Sequence, residues 1–99
     1  MRNQLEKVVK DTIEGLIADS KIYESRNESH EDYRVFIDEA NQQLAIMFRD
    51  TPSQLGPEWN GHLYEIQGDN LEIIEYGAFD CMAIEDWPNS EFVEVVLNW

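Results

Sequence analysis

The chain has 99 residues, of which 21 are acidic and 7 basic, giving a formal net charge of −14. That length is typical of one domain, and a chain with 42% hydrophobic residues is too apolar for a disordered acidic tail. The single cysteine, Cys81, excludes an intrachain disulfide, and no run approaches the roughly 18 apolar residues of a membrane span. We therefore expect residues 1–99 to form one soluble, acidic, cytoplasmic domain.

The charge is divided unevenly between the two halves of the chain. All seven Lys and Arg lie within residues 1–50 together with eleven acids, whereas residues 51–99 hold ten acids and neither Lys nor Arg. Solubility alone is served as well by mixed signs. A one-signed segment of this length therefore favours a surface that meets a positively charged partner.

Residues 3–20 carry the clearest periodicity. Asn3 is a suitable N-cap, and Glu6 stands three residues later, where a capping box has its acidic member. Apolar side chains recur at the spacing of one helical face, at Leu5, Val8, Val9, Ile13, Leu16 and Ile17. The segment predicts an amphipathic helix.

The next part of the chain is predicted to contain a loop and then a hairpin. Residues 24–32 have no periodic apolar side chain and predict a solvated loop that contains His30. Residues 33–48 fit either a helix started at Ser29 or two strands. Apolar side chains alternate on both sides of a polar hexapeptide, at Tyr33, Val35, Ile37, Leu44, Ile46 and Phe48. Because β-branched and aromatic residues dominate both flanks, we favour the hairpin.

A connector and a second hairpin follow. Residues 51–61 contain two Pro and two Gly and predict a loop that carries Trp59. Residues 62–67 and 71–76 then flank Gly68, Asp69 and Asn70, which tolerate the backbone angles of a tight turn.

Two further strands complete the predicted fold. Residues 79–84 and 92–99 are strand-like, and the second has one apolar face made by Val93, Val95, Leu97 and Trp99. We predict an α+β fold in which one N-terminal amphipathic helix packs on an antiparallel sheet of about five or six strands.

The sequence contains no pattern that identifies a catalytic or metal site. Cys81 lies in an apolar strand context typical of a packed thiol, and His62 is expected to be a rim residue with a satisfied ring nitrogen. Calcium-loop, zinc and phosphate-loop patterns are absent. We expect no enzymatic activity, no metal and no cofactor.

The acidity points to a basic protein partner. A surface of this charge repels a polyanion, so we expect no direct binding of nucleic acid and no membrane association. Carboxylates spaced along a sheet instead suit the basic groove of a nuclease or other nucleic-acid-binding protein, with Trp side chains as anchors. The predicted partner-binding residues are Glu58, Trp59, Glu65, Asp69, Glu72, Glu75, Asp80, Glu85, Asp86, Trp87, Glu91 and Glu94.

In size and charge the whole chain resembles the small acidic inhibitors of phages and mobile elements, including DNA-mimic anti-restriction and anti-CRISPR proteins. It is similar in the same respects to the immunity proteins that neutralise nuclease toxins. The resemblance implies a non-enzymatic inhibitor of a basic, nucleic-acid-handling protein. Two alternatives stay open: a small adaptor or structural domain whose acidity only serves solubility, and a small hydrolase whose carboxylates pair in the fold.

Overall fold

The computed structural model describes residues 1–22, 29–49, 58–78, 82–83 and 91–99. They form helix α1 (Asn3–Ile22), a short 3-10 turn (His30–Asp32) and six strands. The strands are β1 (Tyr33–Asp38), β2 (Gln43–Phe48), β3 (Glu58–Gln67), β4 (Asn70–Glu75), β5 (Met82–Ala83) and β6 (Val93–Val95). The predicted α+β fold is confirmed: one N-terminal helix packs on an antiparallel sheet.

Helix α1 follows the predicted amphipathic face and ends two residues later than predicted. Its buried apolar positions are Leu5, Val9, Ile13 and Ile17, each at most 5% exposed. The predicted N-cap is wrong by one residue, because the first helical hydrogen bond runs from the Glu6 N–H to the Arg2 carbonyl, 2.9 Å. Asn3 therefore lies inside the first turn. None of the helices in the described ranges combines the length and apolarity that a bilayer crossing needs.

The predicted hairpin of residues 33–48 is confirmed. Strands β1 and β2 pair antiparallel from Tyr33 opposite Phe48 to Asp38 opposite Gln43. Residues 35–38 and 44–47 are buried at every position, which is expected of central strands covered on both faces. The segment before β1 is capped by Ser29, whose hydroxyl accepts a hydrogen bond from the Glu31 N–H, 3.2 Å.

The sheet order is β4-β3-β2-β1-β6, and β5 pairs with the beginning of β3. The prediction of a loop up to Gly61 is wrong for residues 58–61, which belong to β3. They extend the strand because Asn60 pairs with Phe48 and Gly61 with Met47. A Cβ added at Gly61 would overlap the sulfur of Met47, so glycine permits this close approach. Residues 24–28 and 51–57 lie outside the described residues.

The last strand is shorter than predicted. Strand β6 covers three residues, because it pairs only with Val35, Phe36 and Ile37 of β1. Val93 is 64% exposed, so the predicted apolar face of residues 92–99 is only partly present, with Val95 and Leu97 packed against the core. The described part of the 79–84 strand is the two-residue β5, and Cys81 lies outside the described residues.

The sheet carries a hydrophobic cluster on each face. On the face toward α1, here called the helix face, the helix packs on side chains that include Val35, Leu44, Ile46 and Tyr64. The opposite face, here called the far face, carries a second cluster made of Phe36, Ala45, Met47, Trp59 and Phe92. Both sides of the central strands are thus removed from water, and charged side chains are left to the outer strands and the ends of the sheet.

Candidate anionic binding face

Three predicted acids come together on the far face at the β3–β4 hairpin. Glu72 lies directly opposite Glu65, and Glu75 lies opposite Leu63. Leu63 packs against the far-face cluster, and Glu65 stands two residues further along the same strand, so all three carboxylates project to the far face. Glu65, Glu72 and Glu75, here called the carboxylate trio, are all exposed.

A β-bulge makes this arrangement possible. Residues three apart in a regular strand point to opposite faces, so Glu72 and Glu75 would be separated by the sheet. The pairing register shifts between Leu63 and Tyr64, where Ile74 is the additional residue on β4. A bulge of this kind re-aims the side chains that follow it. It returns Glu75 to the face of Glu72 and leaves Ile74 48% exposed.

The carboxylate trio has no counter-charge among the described residues. No Lys or Arg nitrogen there lies within 4.0 Å of Glu65, Glu72 or Glu75. Opposed residues on antiparallel strands hold their Cβ atoms about 4.5–5.5 Å apart, and like charges in this position are destabilising. The opposition of Glu65 and Glu72 is therefore unfavourable, and no base in the described part of the chain offsets it.

Two other predicted acids are compensated by bases from the first half of the chain. Asp69 lies 3.6 Å from the Arg2 Nε, while Glu94 accepts two hydrogen bonds of 2.6 Å from the Arg34 guanidinium. The hydrogen bonds from Arg34 lower the pKa of Glu94, against the opposing effect of its partial burial. Asp69 and Glu94 therefore differ from the carboxylate trio, because each lies beside a base.

Glu91 has a neutral neighbour in place of a base. Its carboxylate accepts a hydrogen bond of 3.2 Å from the Asn41 side chain, which also donates to Asp38 at 2.8 Å. Asp38 is 2% exposed and accepts a second bond from the Asn41 N–H. These contacts close the β1–β2 turn, so Asp38 has a structural role and Glu91 stays exposed beside it.

Trp59, predicted as an anchor, is a core residue. It is 6% exposed and packs in the far-face cluster, with the guanidinium carbons of Arg34 and Arg49 at 5.7 and 5.3 Å from its ring centre. It therefore offers a partner almost no surface. Glu58 begins β3, whereas Asp80, Glu85, Asp86 and Trp87 lie outside the described residues.

The histidines are structural in this fold. The Nδ1 atom of His62 accepts a hydrogen bond of 2.8 Å from the Gly77 N–H, and its ring packs on Phe48 and Tyr76. The prediction that His62 is a rim residue with a satisfied ring nitrogen is confirmed. His30 was expected to be solvated, but it stacks on Trp99 at 3.8 Å, with its Nε2 atom 2.5 Å from Glu14.

The described residues offer few other features that could form a functional site. Within them, no group of three or more His, Cys, Asp and Glu side chains is placed to hold a metal ion. A half-open cavity of about 470 Å³ lies between the start of α1 and the β1–β2 turn, lined by Arg2, Leu5, Glu39 and Ile66 among others.

Comparisons with protein-family models, curated proteins and solved structures gave no match to the chain.

Proposed function

We propose that this protein is a non-enzymatic inhibitor that binds the basic, nucleic-acid-handling surface of a partner protein through the carboxylate trio. The observation that carries the proposal is the opposition of two exposed carboxylates, Glu65 and Glu72, with no base beside them among the described residues. Such a contact reduces stability. A cost of this kind is characteristic of surface that is kept for binding rather than for folding.

The distribution of ion pairs supports the same face. Of the bases that the structure describes, four lie close to acids elsewhere: Arg2 to Asp69, Lys10 to Glu6, Arg34 to Glu94, and Arg49 to Asp32. On the far face, as far as the structure describes it, this leaves the β1–β6 side with a bidentate Arg–Glu pair and the β3–β4 side with three carboxylates that no base compensates. A partner's Lys and Arg side chains would meet this second side without displacing an existing pair.

The experiment uses two matched variants of the full chain. The face variant carries Glu65→Gln, Glu72→Gln and Glu75→Gln, and the control variant carries Asp11→Asn, Asp19→Asn and Glu31→Gln. Each removes three negative charges from exposed side chains, so the two differ in where the charge is lost. Both are immobilised beside the wild-type chain and exposed to a nuclease-treated bacterial lysate at low and at high salt.

The proposal predicts that the wild-type chain and the control variant retain a basic protein at low salt and that the face variant loses it. High salt releases that protein because long-range attraction between exposed charges is screened. Equal retention by all three chains would contradict the proposal. A purified retained protein then separates two forms of the function: a short DNA duplex displaces the chain if it mimics nucleic acid, and leaves it bound if it acts as an immunity protein.

One observation favours the alternative of an adaptor or structural domain. Val93, Val96 and Trp99 at the β6 end of the sheet are 64%, 87% and 51% exposed, and exposed apolar groups at a sheet edge suit a protein interface. An adaptor of this type predicts that Val93→Thr and Val96→Thr abolish partner retention, whereas the face variant retains its partner.

A further inference from the structure

Strand β4 is an outer strand of the sheet. Among the described residues it pairs with β3 alone, through Asn70 to Glu75. Within the described ranges, no strand pairs with the edge that faces away from β3, so its backbone N–H and C=O groups are available to a further strand. Such an edge accepts a further strand when the side chains on either side of it suit the incoming segment.

The two faces of this edge differ in character. Glu72 and Glu75 project from the far face, with Glu65 behind them on β3. Leu71 and Ile73 lie on the helix face, where they pack against the main core. An added strand sends alternate side chains to the two faces, so every second residue would lie beside carboxylates and the intervening residues beside aliphatic groups.

Charge argues against a second copy of the chain as the occupant. Two β4 edges that paired with each other would bring Glu72 and Glu75 of one copy beside the same acids of the other, and like charges across strands repel. The other outer strand, β6, is three residues long, and its Glu94 is already held by Arg34. Strand β4 is therefore the edge where a basic partner gains most from charge complementarity.

We infer that the partner docks by adding an extended segment to the outer edge of β4, with Lys or Arg alternating with apolar residues. The inference rests on the proposed function and specifies how the basic partner binds. The backbone supplies hydrogen bonds, the carboxylate trio selects the basic positions, and Leu71 and Ile73 receive the apolar ones. The bulge at Ile74 confines regular pairing mainly to residues 70–73.

The test uses an end-capped peptide in which Lys and Val alternate. Two control peptides of the same sequence carry N-methyl groups, one at every Lys amide and the other at every Val amide. Alternate amides of a strand point to opposite edges, so only one of these two sets faces β4. Binding to the isotope-labelled full chain is followed at low salt by amide chemical shifts and by hydrogen exchange.

The inference predicts shifts and slowed exchange at residues 70–75, and a roughly tenfold weaker affinity for one N-methylated peptide but not for the other, since each lost hydrogen bond weakens binding. Equal affinity for all three peptides would overturn strand addition while still agreeing with a basic partner. Shifts centred on β6 would overturn the assignment to β4. If no peptide binds, strand addition is wrong, and the proposed function then depends on whether the wild-type chain retains a basic protein from lysate.

Discussion

Glu72 lies directly opposite Glu65 across strands β4 and β3, and both side chains are exposed. The pair has no Lys or Arg within 4.0 Å among the described residues. A cross-strand neighbour of opposite charge would stabilise this position. Removing one of these charges is expected to raise the free energy of unfolding but to weaken binding of the proposed partner. The contribution of the pair to folding can therefore be distinguished from its proposed contribution to binding.

The first prediction concerns the effect of the opposed Glu65 and Glu72 on the stability of the fold. Glu72→Gln is expected to raise the free energy of unfolding by roughly 0.2–1 kcal/mol, because it removes one of two opposed charges. Urea denaturation at low salt measures the gain, which should shrink at high salt as the repulsion is screened. Asp11→Asn on the exposed side of α1 serves as the matched charge control. A Glu72→Gln chain less stable than wild type would contradict the account of this pair.

The second prediction concerns the ion pair of Arg34 and Glu94. Because the folded state lowers the pKa of Glu94, the pair stabilises the protein above the ordinary carboxyl pKa, and this contribution is lost as the pH falls through the lowered value. Glu94→Gln should therefore reduce the free energy of unfolding at neutral pH by up to about 1 kcal/mol, a bound set by solvent exposure. The difference from wild type should disappear in acid; a difference that persists there would contradict the assignment.

The third prediction concerns two buried phenols. Burial is the main cause that raises the pKa of Tyr33 and of Tyr64 to about 12, with nearby Asp32 and Tyr76 adding to the respective shifts. The folded state thus favours the neutral phenols. Their contribution to the free energy of unfolding is fully present below pH 10 and is lost as the pH rises toward 12. Ultraviolet titration of tyrosinate measures both groups, and Tyr64→Phe should reduce the alkaline loss. Titration of all four tyrosines near their ordinary pKa in the folded protein would contradict it.

The fourth prediction concerns the contact of Gly61 with Met47. A methyl group at Gly61 would overlap the Met47 sulfur and approach the Ile46 carbonyl, and Met47 is fully buried. Gly61→Ala should therefore lower the free energy of unfolding by roughly 1–3 kcal/mol, as overpacking does in cores. The double variant Gly61→Ala with Met47→Val should recover part of the loss in the same thermal or urea experiment. Additive effects of the two substitutions would show that they do not share this contact.

Local patterns were sufficient to predict much of the fold. The apolar periodicity of residues 3–20 identified α1, and the alternation around residues 38–43 identified the β1–β2 hairpin. The strand residues 58–61 were missed because two prolines and two glycines within residues 51–61 indicate a loop. The reason for glycine at position 61 is the sulfur of Met47 on a different strand. Contacts between distant parts of the chain leave no such local pattern.

The candidate site was predictable in composition but not in geometry. The surplus of acids in residues 51–99 was evident from the sequence, but the bulge at Ile74 that places Glu72 and Glu75 on one face depends on pairing with β3. The compensation of Asp69 and Glu94 was equally hidden, since their partners Arg2 and Arg34 lie more than half the chain away. The burial of Trp59 follows from the far-face cluster, which no local sequence pattern indicated.

Binding through the carboxylate trio is tested by comparing the affinities of the purified retained protein for the wild-type chain, the face variant and the control variant. Titration calorimetry at low salt measures the dissociation constant of each of the three complexes. We expect that removing the charges of Glu65, Glu72 and Glu75 weakens binding at least about tenfold, while removing the charges of Asp11, Asp19 and Glu31 changes it little. Equal weakening in both variants would contradict a localised binding face and would leave the acidity as a general property of the surface.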